Sequence, residues 1–260
     1  DCSAWDVTQC WPDTDDEEKM VSIPAGPFLR GCNTALDSDC FSDEYPYRQL
    51  RLSAYHMDTH EVTTGDYRAC VQAGGCLDTN LNDDPIFCNY AQTGREDHPI
   101  NCVDYDQAQA YCLWSGKHLP TEAQWEKAAR GSDGRIYPWG NTPLPSCTHT
   151  VMNNGTLSGC GEGRTSPVGS RPLGISPYGV LDMTGNVYEW TNDWWSDTYY
   201  GIAPENDPQG PSNDDEVLIY RVLRGGSWGN INTAKLRASS RFVNSPTARS
   251  LNLGFRCAHP

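Results

Sequence analysis

The residues that could do chemistry in this chain are its sulfurs, its imidazoles and its carboxylates. Twelve cysteines are spread along 260 residues with no Cys-x-x-Cys anywhere. Zinc ribbons and thioredoxin-like redox centres need thiols two residues apart, so the even count at wide spacing reads instead as a disulfide framework made in an oxidising compartment. His56 and His60 lie four apart, share a face if they are in a strand, and could nominally hold a metal. No third ligand stands near them, and His98, His118, His149 and His259 are scattered as hydrogen-bonding or surface residues would be. Ser227 could serve as a nucleophile, but no base can be assigned to it. Asp43 and Glu44 sit in a polar segment where nothing is expected to raise a carboxyl pKa, which makes them poor general acids.

The remaining carboxylates are numerous: 34 acidic against 19 basic side chains, for a formal net charge of -15. Such a surface repels phosphate backbones, so nucleic acid is excluded as a main partner, while hard cations such as calcium suit it. The runs at 13–18, 82–84 and 213–216 read as solvated loops. Asp13-Thr14-Asp15-Asp16 opens like an EF-hand loop but lacks the glycine and glutamate that must follow. No run of about 18 apolar residues is present to span a membrane. The chain begins at Asp1 without a basic and apolar leader, which reads as an exported protein whose signal peptide has been removed.

The elements that must position these groups are short. With 24 Gly and 18 Pro, turns are distributed everywhere. Three helices are readable: one capped by Thr63 with Asp66 three residues on and stopped at Gly74-Gly75, one capped by Asp104 and ended by Gly116, and one opened by the capping box Thr121 to Gln124 and ended by Gly131. Strands are expected over 20–23, 28–30, 48–57, 221–224 and 253–257, the third with one wet face because its residues nearly alternate. The cluster Trp190, Trp194, Trp195, Tyr199 and Tyr200 reads as core more than as a sugar platform. The domain organisation is a cysteine-bearing arm over 1–18 and a single domain over 19–260.

Taken in order, several blocks resemble the formylglycine-generating enzyme, or sulfatase-modifying factor, family. They are Met20 to Gly26, His60-Glu61-Val62-Thr63, His98 to Val103, Gly116 to Glu126, Tyr137-Pro138-Trp139-Gly140-Asn141, Asp182 to Trp190, Arg224-Gly225-Gly226-Ser227-Trp228 and Asn252 to Cys257. The resemblance implies an α+β, loop-rich variant of the C-type-lectin-like fold, stapled by disulfides. It also implies that Cys112 pairs with Cys257, closing a loop worth ~4–5 kcal/mol in the chain-entropy model. Short spacings suggest Cys2 with Cys10, Cys32 with Cys40, Cys70 with Cys76 and Cys147 with Cys160, leaving Cys88 with Cys102, although sequence alone does not fix the connectivity.

Oxidising members of the family carry two copper(I)-binding cysteines shortly after the Gly-Gly-Ser-aromatic motif. Here Asn230 stands at the first position and Ala234 or Lys235 at the second, so no copper and no formylglycine-generating activity are expected. A family calcium site carries over to Asp182, Gly185, Val187 and Glu189, all offering hard oxygens, with a structural role. A second family calcium site falls in the divergent segment around 150–163, where the Cys147 and Cys160 pair would replace the ion. The stretch after Trp228 resembles the ligand-facing part of the variable proteins made by diversity-generating retroelements. Ser227, Trp228, Asn230, Asn232, Arg237, Arg241, Phe242 and Asn244 form the expected ligand groove, with an ordinary surface loop as the alternative.

The function expected is a secreted or surface-attached, non-catalytic module that binds a protein, peptide or glycan; the periplasm is a further oxidising location. The alternatives are an oxidase or oxygenase using another metal in the same groove, and a homo-oligomeric or mixed surface assembly. The Asn154-Gly155-Thr156 sequon matters only in a host that glycosylates exported proteins.

Overall fold

A computed structural model describes residues 19–81, 84, 86–212 and 218–260. The expected arm with Cys2 and Cys10, the acidic runs at 13–18 and 213–216, and part of the run at 82–84 lie outside the described residues.

Helices form where the sequence supplies caps. In α1 (Thr64–Gln72), α2 (Tyr105–Trp114) and α3 (Glu122–Arg130), the side chains of Thr63, Asp104 and Thr121 each accept a hydrogen bond from the backbone N–H three residues on. A short helix leaves a large share of its donors open, so a filled first turn decides whether it forms.

The strands depart from expectation at several places. β1 (Met20–Ile23), β2 (Gly26–Arg30), β3 (Arg48–Leu52) and β4 (Tyr55–Asp58) open the chain. The strand expected over 48–57 is two: β3 pairs antiparallel with β2, and β4 pairs with β1. The corner falls at Ser53, whose N–H and hydroxyl both donate to the Asp207 carboxylate, at 2.7 and 2.8 Å, turning the chain out of one ladder and into the next. The second departure is β5 (Tyr188–Trp194), not anticipated at all. It lies between β6 (Arg221–Arg224) and β8 (Leu253–Gly254), with β7 (Phe242–Asn244) on the far side of β6. Its first four residues are all buried, so it lacks the apolar–polar alternation that marks a half-wet strand. Of the strand expected over 253–257 only Leu253–Gly254 forms, as β8, while β9 (Ala258–His259) lies just beyond it and joins β4. A short α4 (Tyr199–Ile202) completes the elements.

Rings and guanidiniums fill the interior that aliphatic side chains leave short. Trp125, Trp190, Tyr55, Tyr67, Tyr200 and Phe28 are fully buried, and so are Arg30, Arg130, Arg224, Arg237 and Arg256. Arg30 donates to the Tyr200 carbonyl at 3.0 Å, and the others are matched to acids: Arg224 to Glu126 at 2.7 Å, Arg130 to Glu126 at 2.9 Å, Arg256 to Glu189 at 2.7 Å, and Arg237 to Glu44 at 2.7 Å and Asp37 at 2.9 Å, as the nearby Arg241 is to Glu122 at 2.7 Å. Buried pairs add little net stability over an apolar core, yet removing one partner strands a charge. Glu44 corrects the reading of a solvated loop acid. It is fully buried, and desolvation raises its carboxyl pKa although Arg237 holds it. Five disulfides staple the loops: Cys32 with Cys40, Cys70 with Cys76, Cys88 with Cys102, Cys112 with Cys257, and Cys147 with Cys160.

Asp193, on β5, is one acid of this interior with a pH consequence. Its Oδ2 accepts from the Glu122 N–H at 2.8 Å. Burial, and then the Glu122 carboxylate, push its carboxyl up from 3.8 to about 7. The folded chain therefore keeps a proton that the unfolded chain has released, and this part of its stability is lost as pH rises from 3.8 to about 7. Asp193→Asn retains the acceptor without the charge, so urea unfolding across that window should fall less steeply with pH in the variant. Parallel pH dependences in the two proteins would contradict the assignment.

Candidate functional site

The site is built from two turns laid side by side at the N-terminal end of β5. The first runs from Asp182 to Val187 and takes left-handed backbone at Asp182 (φ 56°), Gly185 (φ 79°) and Asn186 (φ 54°). Gly185 has no alternative, because a Cβ there would meet Thr150 Oγ1 at 2.1 Å and the Val151 carbonyl at 2.4 Å. The second turn holds Gly225 to Asn230. The two are joined by backbone bonds from Gly185 N to Gly225 O and from Trp228 N to Asn186 O, each within 2.9 Å.

Beneath the first turn lies a buried group of carboxylates with too few cations. Glu189 is saturated: Arg256 binds it with both arms of its guanidinium, at 2.7 and 2.8 Å, and the Trp125 indole donates at 2.7 Å. Glu61, in the loop between β4 and α1, is 0% exposed, and neither of its oxygens has a hydrogen-bond partner among the described residues. Burial first and the Asp182 carboxylate second drive its pKa well above the usual carboxylate range. Burial also raises Asp182, although Gly169 N–H donates to it at 2.5 Å. Three carboxylates thus share one guanidinium. Fully ionised, they would carry two charges more than Arg256 offsets, which is the charge of one divalent cation, and without one burial favours their neutral forms.

Asp182 and Glu61 offer hard oxygens of the kind calcium takes, and the open carboxylate is that of Glu61. Glu189, a ligand the resemblance implies, is instead engaged by Arg256 and Trp125. The sequence shows Glu61 only as part of His60-Glu61-Val62-Thr63, with no sign of its neighbours. A small polar pocket lined by Lys19, Asp58, His60, Glu61 and Lys117 leads toward it. His60 does not pair with His56: its Nδ1 lies 2.9 Å from the Glu61 carbonyl, while His56 sits on β4 across from His259.

The second turn is closed by an amide. Asn230 Oδ1 accepts from Ser227 N at 2.7 Å and lies 3.2 Å from the Ser227 hydroxyl, which Asn252 Nδ2 also approaches at 3.4 Å. Gly225, Ser227 and Gly229 have the spacing of a nucleophile elbow, but that motif is a strand-turn-helix carrying a base, and here the hydroxyl meets amides only. Trp228 is 7% exposed, donates its indole N–H to the Leu251 carbonyl at 3.2 Å and stacks on Phe87. Phe242 is 41% exposed and stacks on Tyr188 at 5.0 Å, with Lys235 Nζ over its ring. Phe87 and Tyr188 are additions that the sequence did not single out.

Of the expected groove residues, Ser227, Asn230 and Phe242 gather here, with Trp228 as a largely buried wall. Asn232 and Asn244 are spent locally on the N–H groups of Ala234 and Ser245. Arg237 and Arg241 do not face a ligand. Their guanidiniums are buried against Glu44 and Glu122, so they hold the loop from beneath. Copper(I) does not fit this site: Asn230 and Ala234 bring no thiolate, and all ten cysteines among the described residues are in disulfides. Cys32, Cys40 and Glu44 cluster tightly, but those sulfurs are bonded to each other and Glu44 to Arg237.

Residues 8–260 match the model of the sulfatase-modifying factor enzyme 1-like domain. The chain belongs to the sulfatase-modifying factor family. It is 30% identical to the formylglycine-generating enzyme of Mus musculus, over 92% of this chain and 74% of that relative. It is 38% identical to the inactive C-alpha-formylglycine-generating enzyme 2 of Bos taurus, over 92% of this chain and 87% of that one. Among solved structures it is similar to PvdO from Pseudomonas aeruginosa, with a TM-score of 0.76 and 29% identity over 92% of this chain and 93% of the other. Treponema denticola variable protein 1, at TM-score 0.72 and 24% identity over 92% and 94% of the two chains, shares the fold. Within the family fold, the five disulfides among the described residues suit an oxidising compartment, and no helix of the described residues is long and apolar enough to cross a membrane.

Proposed function

We propose that this family member is a secreted or surface-attached, non-catalytic module that presents the face around Phe242, Tyr188 and Asn230 to a protein, peptide or glycan. The observation that carries the reading is the chemistry of the second turn. Where oxidising members hold copper(I) with thiolates, Asn230 uses its amide oxygen to close the turn on Ser227 N. Hard and neutral ligands replace thiolates poorly at copper(I). The likeness to an inactive relative supports the same reading. A calcium ion held by Glu61, Asp182 and the carbonyls of Gly185 and Val187 would supply charge neutralisation only, fixing the first turn and, through Asn186 O, the position of Trp228.

A half-exposed ring stacked on a second ring is suited to anchoring a ligand, because its geometry is set before binding. Screening the chain against peptide and glycan arrays, and then against Phe242→Ala, tests the face. A ligand retained by the parent should be weakened at least tenfold, about 1.4 kcal/mol, in the variant. Equal retention by both would remove this face from the account.

A further inference from the structure

A cleft of about 270 Å³ lies beside the loop 159–171, outside the carboxylate group and the Phe242 face, and is lined by His98, Glu162, Arg164, Thr165, Ser166, Pro167, Ser170 and Arg171. Its lining is rich in donors, which is unexpected in a chain with a net charge of -15. Arg130, Arg237, Arg241 and Arg256 are bound to buried acids, whereas the guanidiniums lining this cleft have no buried acid beside them among the described residues. Arg171 makes one hydrogen bond, to the carbonyl of its neighbour Ser170, and both its Nε and the Ser170 hydroxyl are without partners among the described residues. Arg164 reaches only Glu162, at 3.4 Å, in a pair largely open to water. Arg95 adds a third guanidinium, held by Asn89 at 2.9 Å and close enough to Arg164 for the two to repel.

His98 supplies a further donor. Thr165 Oγ1 accepts from Asn89 Nδ2 at 2.9 Å and lies 2.9 Å from His98 Nδ1; in the tautomer in which Nδ1 accepts the Thr165 hydrogen, the ring hydrogen is on Nε2. Burial, with Arg95 and Arg164 nearby, lowers the imidazole to about 4, so it donates as a neutral ring. The acids around the cleft do not compensate these donors: Glu96 is bound to Arg68 at 2.8 Å, and Asp97 and Glu162 are exposed.

We infer that this cleft binds a small oxyanion, a carboxylate or a sulfate-type group, between the guanidiniums of Arg164 and Arg171 with the Ser170 hydroxyl and the His98 ring as supporting donors. Planar guanidinium forks match both anions through paired hydrogen bonds. The inference does not rest on the Phe242 face, and either can fail without the other.

Calorimetric titration of the intact chain with sodium sulfate and with sodium acetate, at constant ionic strength held by chloride, tests it. Saturable binding on the order of 1 mM is expected for at least one anion, with acetate preferred if the site is shaped for carboxylates and sulfate preferred if for tetrahedral groups. Arg171→Met should weaken it at least tenfold. Arg164→Gln, which disturbs only an exposed pair, should weaken it too while leaving the unfolding midpoint in anion-free buffer unchanged. Absence of saturable binding by either anion, or binding unaltered in both variants, would overturn the assignment.

Discussion

Removing calcium with a chelator is expected to lower the unfolding midpoint by about 5–10 °C, and Glu61→Gln is expected to abolish that response. An ion present at about 100 times its dissociation constant stabilises the folded state by about 2.7 kcal/mol, and a chain of this size shifts by roughly 2–4 °C per kcal/mol. The variant separates an ion site from a merely awkward acid. Without an ion, Glu61 is a buried carboxylate with no hydrogen-bond partner, facing Asp182. Glu61→Gln relieves that repulsion, so in chelator the variant should unfold no earlier than the parent, whereas in calcium the parent should be the more stable. Scanning calorimetry of both proteins in the two buffers reads all four values. A parent chain indifferent to chelator would remove calcium from the account.

Opening the Cys112 to Cys257 disulfide is expected to cost more. The bond ties α2 to the segment between β8 and β9 across 145 residues, and both sulfurs are fully buried. In the chain-entropy model, releasing a loop of that length frees the unfolded state by about 4–5 kcal/mol. The double variant Cys112→Ser, Cys257→Ser should therefore unfold roughly 10–15 °C below the parent. It also loosens the segment whose Cys257 N–H donates to Asp58 Oδ2 at 2.8 Å, beside the Arg256 to Glu189 pair. Calcium affinity should fall with stability. In contrast, Cys70→Ser with Cys76→Ser opens a loop of only six residues and should cost much less. Equal losses in the two double variants would contradict the loop-length argument.

What was legible in the sequence was local. Thr63, Asp104 and Thr121 are helix caps whatever surrounds them, because each needs only the N–H three residues on, and all three helices start beside them. The segment 182–187 stood out only through the family resemblance, and it is the fold that shows why Gly185 tolerates no side chain there. What was not legible depends on partners far along the chain. Glu44 looked solvated until Arg237, 193 residues away, was placed against it, and the same contact withdrew Arg237 from the ligand face. β5 hid because both its faces are covered. Glu61 and Asp182 are brought together only by the fold, so an acid two residues from a recognisable strand gave no sign that it would end buried and unmatched. The corner at Ser53 is also non-local, since it needs Asp207.

The central claim is that the second turn of this family member carries no copper chemistry. The most direct measurement is anaerobic titration with copper(I) against a competing chelator, followed by oxygen exposure with a peptide carrying a sulfatase-type cysteine and mass analysis of that peptide. The account predicts no stoichiometric copper at the Asn230 turn and a peptide cysteine that stays a thiol. One tightly held copper per chain together with conversion of the cysteine to formylglycine would contradict it.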